Sequence, residues 1–261
     1  MSFISVKDKC VLLVGATGIL GRTYSRILSQ EGANLVLADL TQTNVEHLAE
    51  ECGVSAITID IGSEKSVVDA VEKAENIFGR FDGVINNAAI TGDIIKSIDP
   101  VNAYAPFEEQ PLNLWQKTID VNLTGCFLLA REAGKRMRKN GGSFITVSSI
   151  YGVVGPDQSI YENQNMGCRA SYAASKAGII GLTKWLSTWW ADEGIRVNCV
   201  VPGGVENGQD LDFINRYSNR VPMARMAMPE DIVGIMLYLL SDASRYCTGG
   251  VYLVDGGLTA W

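Results

Sequence analysis

Histidine is almost absent from this chain: His47 is the only histidine among 261 residues. A histidine-rich zinc site is therefore excluded, and a Ser-His-Asp triad would have to use His47. That residue lies in a polar, helix-like stretch, residues 44–51, with no partner motif. We predict that His47 is a surface residue and that the protein holds no metal.

Long apolar runs, basic patches and paired cysteines are also missing. No apolar run reaches the ~18 residues of a membrane span, and residues 1–7 lack a charged-then-apolar leader. The net charge of −7 argues against nucleic acid as a partner. The six cysteines are scattered without a Cys-x-x-Cys pair, which indicates reduced thiols. These absences predict a cytoplasmic protein that binds neither membranes nor nucleic acid.

The first forty residues carry a dinucleotide-binding pattern. An apolar run at 10–14 leads into the turn Gly15-Ala16-Thr17-Gly18-Ile19-Leu20-Gly21, then a helical pattern at 22–31 and a second apolar run at 34–38. Glycines in such a turn let backbone N–H groups approach a pyrophosphate at a helix N-terminus. Asp39 follows 24 residues after Gly15, where a carboxylate can bind the adenosine ribose. Because a 2′-phosphate would meet a like charge there, Asp39 predicts NAD in preference to NADP.

Short apolar runs and helical patterns alternate along the rest of the chain. Further strands are predicted at 56–59, 83–85, 143–147, 196–201 and 251–254, with helices at 64–78, 114–137, 171–190 and 229–241. Residues 90–111 are predicted as an irregular excursion. This alternation predicts a Rossmann-type doubly wound α/β fold, a parallel sheet with helices on both faces, in one domain spanning residues 1–261. The carboxyl ends of its strands would line a ligand crevice.

Tyr172 and Lys176 are four residues apart at the start of a predicted helix, so they share one helical face. A neighbouring ammonium favours the phenolate and would lower the tyrosine pKa, which suits proton transfer near neutral pH. Such a pair also occurs by chance on surface helices. Tyr151 and Tyr161 are rival tyrosines, but neither has a lysine four residues later.

Together these motifs resemble the short-chain dehydrogenase/reductase family over the whole chain. The resemblance is carried by the Gly-rich turn, Asn-Asn-Ala-Ala at 86–89, Asn122 within a helix, Ser149 after a strand, and Tyr172-x-x-x-Lys176. It implies that Tyr172 is the general acid/base and that Ser149 holds the substrate oxygen. It also implies that Lys176 binds the nicotinamide ribose, and that Asn122 holds a water that links Lys176 to solvent.

The resemblance also implies a set of cofactor contacts. The pyrophosphate and adenosine would meet the Gly-rich turn, the ends of the next two strands and the Asn-Asn-Ala-Ala motif, and the nicotinamide would meet a Pro-Gly turn and the Tyr/Lys pair. These predicted contacts are Gly15, Thr17, Gly18, Ile19, Leu20, Asp39, Leu40, Asp60, Ile61, Asn87, Ala88, Tyr172, Lys176, Pro202, Gly203 and Val205.

Three features depart from the usual family pattern. The middle glycine of the turn stands one place early, at Gly18, with Ile19 in its usual position. Ser149 and Tyr172 are 23 residues apart, and the extra residues, about 156–169, are polar. The Pro-Gly turn continues into an acidic and amide-rich run, 206–210, without the threonine that often follows it.

The insertion, the run at 206–210 and the ending at 255–261 resemble a group of oxidoreductases called flagellin modification protein A. That resemblance implies a sugar or amino-sugar substrate from a surface-glycan (nonulosonic acid) pathway. A polar rim agrees with such a ligand. Two alternatives stay open: an NAD-binding regulatory or structural subunit with vestigial catalysis, and an epimerase or dehydratase that oxidises its substrate transiently. The family resemblance further implies a homotetramer.

Overall fold

Seven short strands of the described residues join one parallel sheet. The computed structural model describes residues 4–161 and 167–261. The strand order is β3-β2-β1-β4-β5-β6-β7, so the order reverses between β1 and β4. The bounds are β1 Cys10–Val14, β2 Asn34–Asp39, β3 Ser55–Thr58, β4 Gly83–Asn86, β5 Gly142–Val147, β6 Ile195–Pro202 and β7 Val251–Val254. The predicted doubly wound α/β fold is confirmed.

Helices cover both faces of this sheet, because the side chains on both faces of a strand such as β1 are apolar. Leu12 and Val14 point into one buried cluster while Val11 and Leu13 point into another, so the strand is apolar throughout. The helices of the described residues are α1 Ile19–Gln30, α2 Gln42–Cys52, α3 Glu64–Phe78, α4 Gly92–Ile98, α5 Leu112–Ile119, α6 Gly125–Met137, α7 Ala170–Trp189, α8 Leu211–Ser218 and α9 Val233–Leu240.

Local end signals explain where the prediction and the structure agree. Helix α3 has the predicted bounds because the Ser63 hydroxyl accepts the N–H of Ser66 at its start and Gly79 adopts φ +74° after its end. Helix α7 likewise follows its predicted span within one residue at each end.

Three segments differ from the prediction. The expected helix at 114–137 is two helices joined by a π-helical turn, Asp120–Thr124, which contains Asn122. The excursion at 90–111 contains helix α4. The segment after 205, for which no helix was predicted, contains helix α8, at whose start the Asp210 side chain accepts the N–H of Phe213. Within residues 4–161 and 167–261, no helix has both the length and the apolar character needed to cross a membrane.

Candidate active site

A cleft of about 440 Å³ opens at the carboxyl ends of β1–β4, where the strand order reverses. A crevice at this switch point is where doubly wound sheets bind their ligands. Nine of the predicted cofactor contacts line it together: Gly15, Thr17, Gly18, Asp39, Leu40, Asp60, Ile61, Asn87 and Ala88. Ile19 and Leu20 are the first two residues of α1 beside it and are half-buried.

The Gly-rich turn presents backbone rather than side chains to this cleft. Gly15 has φ +82°, and a Cβ there would stand 2.5 Å from the backbone N of Ala88. Gly18 is the N-cap of α1, without a side-chain cap, and no acidic residue lies in the first turn. The N–H groups at the start of α1 are thus available to an anion, as a pyrophosphate requires. These residues fit a dinucleotide.

The shifted middle glycine has a simple consequence. Among the described residues, a Cβ at Gly18 would meet only the Gly15 carbonyl oxygen, at 3.8 Å, whereas a Cβ at Gly21 would stand 2.1 Å from that oxygen. Steric space therefore requires glycine at positions 15 and 21. Gly18 is exposed, and its lack of a side chain leaves the start of α1 accessible.

Asp39 ends β2 and also holds the Gly-rich turn. Its Oδ2 accepts the backbone N–H of Thr17 at 2.8 Å, and its Oδ1 accepts that of Leu40 at 2.7 Å. A carboxylate has about four lone-pair sites, so these two bonds leave capacity for ribose hydroxyls. On the other side of β1, just after β4 ends, the Asn87 Nδ2 donates to the Gly15 carbonyl at 2.8 Å. Asp39 and Asn87 brace the turn from both sides.

The predicted nicotinamide turn lies at the end of β6. Pro202 closes that strand, and the backbone N of Gly203 donates to the Val254 carbonyl at 2.9 Å. A Cβ on Gly203 would stand 2.9 Å from the Cα of Asp255, so the turn packs tightly against the end of β7. Val205 pairs with Ala227 in an isolated parallel bridge. These three residues line no part of the 440 Å³ cleft as the described residues form it.

Tyr172 and Lys176 stand side by side on the first turns of α7. The Lys176 Nζ lies 5.6 Å from the centre of the Tyr172 ring and donates to the Val147 carbonyl at 2.9 Å. The Ser148 hydroxyl donates to the Lys176 carbonyl at 2.7 Å, which fixes the helix against the end of β5. Ser149, the next residue, forms a hydrogen bond with the Tyr172 hydroxyl. Three of the four predicted catalytic side chains thus meet here.

Burial dominates the electrostatics of this pair. It raises the pKa of the Tyr172 phenol to about 12, while the hydrogen bond with Ser149 acts in the opposite direction. Burial also lowers the pKa of the Lys176 ammonium to about 8. The downward shift of the Tyr172 pKa expected from the sequence is therefore not found in this arrangement. The loss of hydration around the phenolate is the largest cause of the shift, because burial disfavours the charged form.

Asn122, the fourth predicted catalytic residue, binds the backbone of Ile90 and is linked to Tyr172 through Ser175. Its Oδ1 accepts the N–H of Ile90 at 2.7 Å, and its Nδ2 donates to the Ile90 carbonyl at 3.2 Å and to the Ser175 hydroxyl at 3.1 Å. The Ser175 hydroxyl in turn donates to the carbonyl of Tyr172 at 2.8 Å. Both amide hydrogens are thus used, so the predicted water would have to bind the remaining Oδ1 lone pair or the backbone carbonyl.

Two further cavities lie near Tyr172, and the smaller one shares Ile90 with the 440 Å³ cleft. A small one of about 110 Å³ is lined by Tyr172 together with Tyr151, Tyr161 and Arg169. A larger one of about 530 Å³ continues outward and shares Tyr161 and Arg169. The hydroxyls of Tyr151 and Tyr161 are 2.6 Å apart. Gln158 and Pro156 of the inserted segment line the outer cavity, while residues 162–166 of that segment lie outside the described residues.

Sequence reasoning did not assign roles to several of these groups. Ser148 and Ser175 fix the catalytic helix through single hydroxyls, and nothing distinguishes such serines from turn or helix residues before the fold is known. The sequence presents Tyr151 and Tyr161 only as rivals to Tyr172. Arg169 gave one usable signal, a cation three residues before Tyr172 in an otherwise uncharged helix start.

Known proteins resemble this chain over nearly its whole length. The family model described as enoyl-(acyl carrier protein) reductase matches residues 15–259. An uncharacterized oxidoreductase from Mycobacterium tuberculosis is 35% identical, over 98% of this chain and 93% of that protein. The trans-4-hydroxycyclohexanecarboxylate dehydrogenase of Sinomonas cyclohexanicum is 33% identical, over 98% and 94%. The L-rhamnose 1-dehydrogenase (NAD(P)(+)) of Azotobacter vinelandii is 32% identical, over 96% of each.

A solved structure gives the same picture of the fold. The short chain dehydrogenase from Leptospira borgpetersenii, with bound NAD+, superimposes with a TM-score of 0.86. It is 33% identical in sequence, and the match covers 99% of this chain and 96% of that one.

Proposed function

The chain belongs to the short-chain dehydrogenase/reductase family, and we propose that it is an NAD-dependent oxidoreductase that moves a hydride between nicotinamide and a hydroxyl or carbonyl substrate. The observation that carries this proposal is the meeting of Ser149, Tyr172 and Lys176 beside a cavity that shares Ile90 with the crevice at the switch point. A vestigial subunit has no use for a complete proton-transfer group beside such a cavity.

The side chains divide the chemistry among themselves. A bound nicotinamide dinucleotide supplies or accepts the hydride. In the oxidative direction, the Tyr172 phenolate takes the proton of the substrate hydroxyl, and the Ser149 hydroxyl donates to the oxygen that develops negative charge. The Lys176 ammonium lies 5.6 Å from the centre of the Tyr172 ring, where its charge favours the phenolate, and it is the group that would bind the nicotinamide ribose. Asn122 joins the backbone of Ile90, which lines both the cavity and the crevice, to the Ser175 hydroxyl of α7, and that hydroxyl donates to the Tyr172 carbonyl.

Asp39 supports NAD as the cofactor. Its carboxylate ends β2 at the edge of the cleft and is fixed by two backbone N–H groups. Ribose hydroxyls can donate to it, whereas a 2′-phosphate would bring a second negative charge beside it. Arg22, the first cation after the Gly-rich turn in sequence, donates its Nε to the Thr17 carbonyl at 2.8 Å.

The substrate that the site favours is small and polar, in the first place a sugar or amino-sugar derivative of a surface-glycan pathway. Tyr151, Tyr161, Gln158 and Arg169 offer hydrogen-bonding groups around the two cavities next to Tyr172. Two relatives are named for a sugar and for a hydroxy acid, which agrees with that chemistry. The resemblance to flagellin modification protein A points the same way, and its inserted residues fall at the outer cavity.

The remaining expectations concern location and assembly. We keep the proposal of a cytoplasmic homotetramer. Trp185 and Trp189 stack at 5.2 Å on α7 and are 57% and 59% exposed, and Phe127 on α6 is 47% exposed. Such an apolar surface is typical of an interface that a second copy covers. Light scattering of the full chain at micromolar concentration would reveal a monomer if this proposal is wrong.

Tyr172→Phe tests the proposed function. Removal of one hydroxyl should lower kcat by about 10²- to 10⁴-fold, since it deletes the acid/base group, while NADH still binds. The measurement is turnover of a panel of sugars, sugar acids and cyclic alcohols with NAD, together with NADH fluorescence titration.

Tyr161→Phe is the matched control, the same chemical change on a tyrosine without a lysine four residues later. It should cost less than about 10-fold. Retained turnover in Tyr172→Phe would refute the assignment. Tight NADH binding without turnover of any compound in the panel by the unmodified protein would favour the vestigial alternative.

A further inference from the structure

Arg169 is a buried cation at the catalytic helix. It is the N-cap residue of α7, three residues before Tyr172, and only 3% of it is exposed. Most arginines keep their guanidinium group in water, whereas Arg169 has almost no contact with it. A charge in such a place requires partners of its own.

Only part of the guanidinium has partners among the described residues. The Nη1 donates to the carbonyls of Asn102 and Ala103 at 3.0 and 2.5 Å. The Nε and Nη2 are buried and have no partner among residues 4–161 and 167–261. Asp99 is near enough to favour the charge, but its carboxylate accepts the N–H and Nδ2 of Asn102. Burial accordingly lowers the pKa of Arg169.

The two nitrogen atoms without partners among the described residues, Nε and Nη2, lie on the same edge of the guanidinium. The N–H bonds of Nε and Nη2 run side by side along one edge of the planar guanidinium, opposite the Nη1 that binds the backbone. That edge matches the two oxygens of a carboxylate in a fork of parallel hydrogen bonds. The contacts to Asn102 and Ala103 fix the plane, so the edge is oriented before a ligand arrives.

The edge belongs to a residue that borders the space beside the catalytic tyrosine. Arg169 and Tyr172 both line the 110 Å³ cavity, and Arg169 also lines the 530 Å³ cavity outside it. Among the described residues that line these two cavities, no other lysine or arginine occurs. One positive charge balances a carboxylate, whereas a phosphate dianion would leave charge uncompensated.

We propose that Arg169 recognises a carboxylate of the substrate, which makes the substrate a hydroxy acid or keto acid, such as a sugar acid. The carboxylate binds Nε and Nη2 while the reacting hydroxyl or carbonyl reaches Tyr172 and Ser149. This assignment rests on the proposed function. Both nitrogen atoms are shielded from solvent here, so the proposal requires the cavity wall to open to them when the carboxylate binds.

Pairs of acids and their carboxamides test the assignment. trans-4-Hydroxycyclohexanecarboxylate and galacturonate are each compared with the matching amide, which keeps shape and hydroxyls but removes the charge. The unmodified protein should show a kcat/KM about 100-fold higher for the acid. Arg169→Gln should lower that ratio to near 1, mainly through KM, and Arg169→Lys should give an intermediate ratio because an ammonium lacks the fork.

A binding measurement separates this inference from the proposed function. Quenching of bound NADH fluorescence by cyclohexanecarboxylate and by cyclohexanecarboxamide, neither of which can be oxidised at a hydroxyl, reports recognition without turnover. Arg138→Gln removes the same charge from an exposed ion pair with Glu193 and serves as the control. Thermal midpoints of both variants show whether loss of the bonds to Asn102 and Ala103 disturbs the fold.

The outcomes are distinct. Turnover of acid and amide with equal kcat/KM would overturn the role of Arg169 and leave the oxidoreductase proposal intact. Arg169-dependent binding of the acid without turnover of any alcohol would support the recognition role and refute the proposed function. Stronger Arg169-dependent binding of a phosphate ester than of the acid would overturn the assignment to a carboxylate.

Discussion

The two sides of the switch point differ in how they meet a ligand. On the side of β1–β3, the cleft is lined by a Gly-rich turn whose contacts are backbone N–H groups, braced by Asp39 and Asn87. On the side of β5 and α7, the groups proposed to carry the chemistry are buried side chains. There Lys176 and Arg169 are charged groups that lie almost wholly out of water.

This difference follows from what each side has to recognise. A dinucleotide needs close approach and helix N–H groups, which glycines provide without any buried charge. A proton-transfer site needs a phenol and an ammonium held apart from water. Burial raises the pKa of the phenol and lowers that of the ammonium, so it favours the neutral form of each. We therefore expect substitutions on the cofactor side to act mainly through steric overlap. Substitutions on the substrate side should act mainly through charge and pH.

Gly15→Ala is expected to have the largest effect on the cofactor side. The new Cβ would stand 2.5 Å from the Ala88 backbone at φ +82°, so strain and overlap should cost about 2–5 kcal/mol. NADH affinity should fall by more than about 10-fold, since the turn that carries the N–H groups must shift. Urea unfolding and NADH titration measure both.

Two matched glycines isolate the cause. Gly79 has φ +74°, and a Cβ there would meet no atom of the described residues within 4 Å, so Gly79→Ala should cost only the backbone strain, about 1–2 kcal/mol. Gly18→Ala adds a Cβ without overlap and should cost about 1 kcal/mol or less. Equal costs at Gly15 and Gly79 would show that close packing against Ala88 is unimportant.

Lys176→Met is expected to reveal the burden of a buried charge on the substrate side. The folded pKa, about 8, lies below the ordinary value of 10.5, so the unfolded chain binds more protons between those values and stability rises with pH there. The variant should therefore be more stable by roughly 1–3 kcal/mol at pH 7 and inactive. Its advantage should shrink between pH 8 and 10.5.

Urea unfolding at several pH values gives this comparison. Lys73→Met, an exposed lysine of α3, is the control and should change stability by less than about 0.5 kcal/mol. A Lys176→Met protein that is less stable than the unmodified one at pH 7 would show that the bond to Val147 outweighs the cost of burial.

The sequence predicted the cofactor side more completely than the substrate side, because the first depends on local signals and the second on contacts between distant residues. Strand runs, glycines and capping residues are local signals, so β1 and α3 were predicted with their bounds. The break around Asn122 coincides with its hydrogen bonds to Ile90 and Ser175, which are distant in the chain. The incomplete pairing of Arg169 depends on carbonyl groups more than 60 residues away. No local pattern carries such information.

Asp39→Asn is expected to have the smallest effect, and it tests whether the cofactor side uses charge at all. The amide removes the negative charge that opposes a 2′-phosphate, and Arg22 beside the turn offers that phosphate a cation. The ratio of kcat/KM with NADP to that with NAD should rise about 10-fold. Asp60→Asn, a neighbouring carboxylate that lines the same cleft, should change the ratio by less than about 3-fold. An unchanged ratio in Asp39→Asn would mean that Asp39 serves the turn through its bond to Thr17 and leaves the choice of cofactor to other residues.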